Sequence, residues 1–101
     1  MASHLSLKRL YNHYNRKYFN SELPTDIQIM YSPLDGAHGK CWVPEKIIHI
    51  DTPLLAHVNY LKIIVLHEMM HIKCGKHVNH GKKFQEEKDR LYYLGAYRDL
   101  L

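Results

Sequence analysis

No apolar run in this 101-residue sequence approaches the roughly 18–20 residues that a bilayer-spanning helix needs. The opening stretch MASHLSLKRL also lacks the continuous apolar core of a secretory signal. The expectation is therefore a cytoplasmic protein without a membrane partner. Cysteine is scarce: Cys41 and Cys74 are too few for a disulfide framework and suit free thiols in a reducing compartment. A block of basic residues is missing as well. The net charge is +4, but the lysines and arginines are spread along the chain, which supports at most a weak association with DNA. Repeats, linkers and low-complexity tracts are absent from the sequence. The length suits one domain over residues 1–101 with one modest core, and a monomer is the simplest expectation.

Apolar residues make up 46% and charged residues 24%, a balance that belongs to a folded globular chain. Leu7, Leu10, Tyr11, Tyr14 and Tyr18 recur at spacings of three and four, which predicts an amphipathic helix from Ser3 or Ser6 to Phe19. Residues 27–31, IQIMY, read as a strand, and SPLDG as a turn. The segments AHGKCWV and KIIHI, joined by PE, predict two more strands, so a small antiparallel sheet of about three strands is expected. Thr52 and Pro53 then read as the cap and first position of a helix running to Cys74, ahead of Gly75. A last helix is expected from Gly81 to about Arg98, with Phe84, Leu91 and Leu94 inward. The order helix, strands, helix, helix makes the class α+β.

Histidine is the compositional excess, and four of the nine fall in IIVLHEMMHIKCGKHVNHGKKF, residues 63–84. At about 100° per residue, Asn59, Lys62 and Lys73 share one narrow solvent-facing wedge of the central helix. Leu54, Val58, Leu61, Val65, Met69 and Ile72 form the apolar stripe, and His67 and His71 point inward or into a cleft. Residues four apart on a helix lie one above the other, so two imidazoles at 67 and 71 can reach one ion. Glu68 lies about 60° round from His71, close enough to take a proton from water bound to that ion. This is the content of H-E-x-x-H, and at this composition about 0.04 accidental matches are expected. Burying polar groups here without such a purpose would be costly.

Three protein ligands and a water describe a catalytic zinc, whereas four protein ligands describe a structural one. The candidates for the third are His77, His80, Glu86 and Glu87, with His80, just before Gly81, preferred. Cys74 falls within about 60° of both central histidines and is a further candidate, although a buried thiol at a helix end is the commoner role. His38 and His49 read as surface or turn residues, and Trp42 first as sheet packing.

HEMMH followed by HGKKF resembles the SprT-like metallopeptidase family, whose pattern is HExxH, a short loop and H-G-x-x-F. The likeness extends to LKRLYNHYNRKYFNSELP and to IIHID, and so covers most of the chain. It implies a compact zincin: an N-terminal helix, a small antiparallel sheet, an active-site helix and a closing helix. It also implies that His67, His71 and His80 bind one zinc ion per chain, that Glu68 is the general base, and that Phe84 packs beneath the site. The expected activity is zinc-dependent hydrolysis of peptide bonds in a protein or peptide substrate. That substrate would lie along an edge strand, either Ala37 to Val43 or Lys46 to Ile50. His57, Tyr60, Tyr92, Tyr93 and Tyr97 are available to stabilise an oxyanion, and spacing selects none of them. The rival expectations are a non-catalytic, zinc-stabilised binding module and a DNA-associated accessory domain.

Overall fold

The computed structural model of the protein describes residues 6–75 and 80–101. Ser3 and the segment 76–79, with His77, lie outside the described residues.

Helix α1 spans Leu7–Tyr18 and begins where expected, with the Ser6 hydroxyl accepting the Arg9 N–H at 3.3 Å. Its buried face carries Leu7, Leu10, Tyr11, Tyr14 and Tyr18. Two polar side chains on α1 fix the return of the chain towards the sheet. Buried Asn15 donates to the Leu23 carbonyl and accepts its N–H, both at 3.1 Å. The Lys8 ammonium reaches the carbonyls of Thr25 and Ile27.

The sheet has three strands, β1 Gln28–Ser32, β2 Gly39–Trp42 and β3 Ile47–Asp51, in the order β1-β3-β2. The β2–β3 pair is antiparallel, as the hairpin reading requires, with Gly39 opposite Ile50 and Trp42 opposite Ile47. The sheet as a whole is mixed rather than antiparallel, because β1 runs parallel to β3. After β1 the chain passes to the far edge before turning back, so the third strand slots between the first two. The Asp51 carboxylate holds that crossing by accepting the Leu34 N–H at 2.9 Å. Lys46, at φ 58°, closes the hairpin turn. Alternation along β3 buries Ile48 and Ile50 completely, facing the helices, and leaves His49 on the other face.

The central helix starts later than the sequence suggests. Thr52–Ala56 form a 3-10 turn around Pro53, the chain breaks at His57, and α2 runs Val58–Cys74. Asp51, which precedes the turn, uses its carboxylate on Leu34 and caps nothing. Val58 is consequently exposed at the helix start, while Leu54, Leu61, Val65 and Met69 are buried as expected. Helix α3 spans Lys82–Tyr93 and stops short of Arg98, because Gly95 turns left-handed at φ 88° and the Ala96 N–H bonds back to Leu91. Leu94 is thereby turned out to solvent, and Ala96 and Tyr97 enter the core in its place. Phe84 and Leu91 face inward. Helix α1 packs on β1, and α2 on β2 and β3, so the central helix lies directly beneath the β2 edge.

Candidate metal centre

The helical period sets His67 above His71, with their Nε2 atoms 3.3 Å apart. His80, just ahead of α3, brings its Nε2 to 3.2 Å from His67 and 3.1 Å from His71. An imidazole nitrogen carries either a proton or a lone pair, so three of them cannot satisfy one another in a closed triangle. A cation at the centre removes the conflict. Two nitrogens each 2.0–2.1 Å from a tetrahedral zinc stand about 3.3–3.4 Å apart, close to the observed separations. The donor set therefore fits zinc.

One side chain supports all three rings. Phe84, buried in the first turn of α3, stands with its centroid 5.1, 4.8 and 4.6 Å from those of His67, His71 and His80. His80 adopts a left-handed backbone at φ 47°, and Gln85 steadies it by donating to its carbonyl at 3.2 Å. Burial, reinforced by the charges of His71, His80 and Lys88, pushes the His67 imidazole down to about 4. Burial and then His80 lower His71. Both are held neutral at neutral pH, the form in which imidazole binds a metal.

Glu68 points towards the sheet. It is 5% exposed, and burial pushes its carboxyl up to about 7. Its neighbour on β2 is Gly39, where a Cβ would meet Glu68 Oε2 and Ile64 Cγ2 at 2.9 Å. Gly39 thus allows strand and carboxylate to approach closely. Sequence reasoning passed it over, although an isolated glycine inside a strand pattern is a mark of such an approach. The three histidines and Glu68 line a cleft of about 420 Å³ whose other wall is β2 with Val43.

The remaining candidates among the described residues are engaged elsewhere. Glu86 is exposed beside Lys82. Glu87, buried on α3, takes Lys73 of α2 at 2.9 Å and Arg90 of its own helix, while Arg90 also donates to the Tyr18 carbonyl of α1 at 2.6 Å. Cys74 directs its thiol to the Lys83 carbonyl, outside the three-histidine group. His38 packs on Tyr60 and His49 on Trp42, whose ring also lines the cleft. Of the five oxyanion candidates none lines that cleft; Tyr92 and Tyr97 border a separate cavity.

The chain as a whole, a small mixed sheet packed against three helices, has a fold met elsewhere. Solved structures share it: the metallopeptidase zymogen abylysin of Pyrococcus abyssi superposes with a TM-score of 0.70 at 15% identity, covering 94% of this chain and 88% of that one. The metallopeptidase zymogen jannalysin of Methanocaldococcus jannaschii gives 0.68 at 23%, covering 88% and 78%. No curated protein matches the sequence. A model of the SprT-like family matches residues 7–95, and the chain belongs to that family. Among the described residues no helix is long and apolar enough to cross a membrane.

Proposed function

We propose that this protein is a zinc-dependent endopeptidase in which His67, His71 and His80 hold one zinc ion and Glu68 is the general base. The observation that carries the reading is the triangle of Nε2 atoms 3.1–3.3 Å apart, lining the same cleft as the buried Glu68. Bound zinc would supply an acidified water and polarise the peptide carbonyl. The strand order leaves β2, not β3, at the edge of the sheet beside these groups, so an extended peptide laid along Gly39–Trp42 brings its backbone to them. Glu68 takes a proton from the attacking water. Buried in the wall of the cleft, it holds that proton and passes it to the departing amine.

Glu68→Gln is expected to retain about one zinc per chain and to lose cleavage of an unfolded protein such as casein. His67→Ala is expected to lose the zinc. Cleavage surviving in the first variant removes Glu68 from the mechanism, and zinc at full stoichiometry in the second removes His67 from the ligand set.

A further inference from the structure

A hollow of about 420 Å³ lies where the end of α1, the first turns of α2 and the segment after α3 meet. It shares no residue with the cleft of the three histidines. Lys17 from α1, Lys62 from α2 and Arg98 from the closing segment all line it, and none of them joins an ion pair among the described residues. Asp99 is the one carboxylate among the described lining residues. Three positive charges against one negative leave a surplus of two. Gathering like charges costs energy, and elsewhere this chain offsets its lysines with carboxylates, Lys46 with Asp26 and Lys73 with Glu87. Here it does not.

The floor holds a second unmet demand. Tyr14 and Tyr18, one turn apart on α1, line the hollow with only 6% and 8% of their surface exposed. Tyr11, on the same buried face, donates its hydroxyl to the Pro24 carbonyl at 2.6 Å, whereas the hydroxyls of Tyr14 and Tyr18 have no partner among the described residues. No described side-chain polar atom is both sealed from solvent and unpaired, so these phenols keep an opening, and the hollow they line provides it. Burial, and then Tyr18, push the Tyr14 phenol up to about 12, which keeps it a proton donor. The cationic rim is also fixed in place. Arg98 folds its guanidinium over Gly95, where an added Cβ would stand 3.8 Å from Nη2, and Asn59 of α2 donates to the Asp99 carbonyl at 3.2 Å.

We propose that this hollow binds a phosphate monoester dianion, whose oxygens accept from Tyr14, Lys17, Lys62 and Arg98. A carboxylate offers one charge and two oxygens, fewer than the donors present. A phosphate monoester offers close to two charges and three strong acceptor oxygens, which match the surplus charge and the donor set. The volume exceeds that of a phosphoryl group and admits a small organic body attached to it. A phosphorylated small molecule and a phosphorylated side chain share this chemistry. The site does not depend on the peptidase reading, because its residues and those of the cleft are separate sets.

The test follows backbone amides by NMR while isotope-labelled protein is titrated, at constant ionic strength, with glycerol phosphate and with a neutral peptide carrying phosphoserine. Saturable shifts are expected at Asn59, Gly95 and Asp99, and the tighter binder of the two identifies the source. Lys62→Gln is expected to weaken binding at least about tenfold, the scale of one charge-assisted hydrogen bond. Tyr14→Phe, which removes only an unpartnered hydroxyl, is expected to do the same while leaving the thermal midpoint unchanged. Absence of saturable shifts at these amides would overturn the proposal, and so would affinity for acetate equal to that for the phosphate monoesters, or affinity unaltered in both variants. Tighter binding of unphosphorylated oligothymidylate at the same amides would replace it with a strand-binding groove.

Discussion

Gly39 of β2 and Glu68 of α2 approach so closely that a single methyl group on the glycine would stand 2.9 Å from Oε2 and 3.1 Å from Cγ of the glutamate. The strand that would hold a peptide and the carboxylate that would work on it are thus set against each other by the lack of a side chain. Gly39→Ala must displace Glu68, Ile64 or the strand. The expected result is retained zinc and a fall of at least about 100-fold in casein cleavage, since misplacing a catalytic group by about 1 Å is enough for that loss. Undiminished cleavage would show that the carboxylate finds its place without the glycine.

Phe84 underlies all three imidazoles, so its loss should be felt in metal binding before it is felt in folding. Phe84→Leu keeps an apolar group in the core but withdraws the ring. Zinc affinity, measured by competition with a chelator, is expected to fall about tenfold or more, as for other groups that orient metal ligands. An unchanged affinity would reduce Phe84 to ordinary packing.

Glu87 joins three helices through Lys73, Arg90 and the Tyr18 carbonyl. Glu87→Gln is expected to destabilise the fold by about 2 kcal/mol, less than the 3–5 kcal/mol of a fully buried pair because both cations reach solvent. Burial alone would raise the Glu87 carboxyl, but the hydrogen bonds and charges of Arg90 and Lys73 outweigh it and hold the group below its ordinary 4.5. A depressed carboxylate stabilises the fold above its unfolded-state value, and that contribution is lost as pH falls through the folded value. In urea titrations, the gap between wild type and Glu87→Gln should therefore be full at pH 7 and close in acid.

For the metal-free protein, His67 provides a titration of its own. Its folded value near 4 lies below the ordinary 6.5, so between those limits the unfolded chain binds a proton that the folded chain refuses. The His67 contribution should lower stability as pH drops from 6.5 towards 4 and level off below. Imidazole resonances followed by NMR in chelator should show His67 neutral at pH 5.5. A midpoint near 6.5 would mean that the ring is solvated and the site loose.

The histidine pair was legible because its geometry is local: a helix four residues on always returns to the same face, so His67 and His71 needed only a helix around them. His80 followed from its place beside Gly81, and the structure brings its ring to the other two. What depended on distant parts of the chain was harder to read. Alternating apolar residues in 27–31 and 46–50 mark strands but carry nothing about their order, and the parallel pairing of β1 with β3 was missed. Pro53 does open a helical turn, yet the fate of the Asp51 carboxylate, accepting from Leu34, lies in the loop before β2. Glu87 stood out as a carboxylate near the histidines and was weighed as a ligand, but its partners come from the end of α2 and from α3 itself. Leu94 fitted the helical stripe until Gly95 ended the helix beneath it.

The three imidazoles all come from residues 67–80, whereas β2 begins at Gly39, far earlier in the chain. On the proposed reading, ion capture is thus encoded in a short contiguous span, and the platform for a polypeptide is supplied by a remote one. The later span would grip the metal, and the earlier one would give a strand its track past it. Substitutions along that track would then retune which polypeptides are drawn in without disturbing the ion's grip.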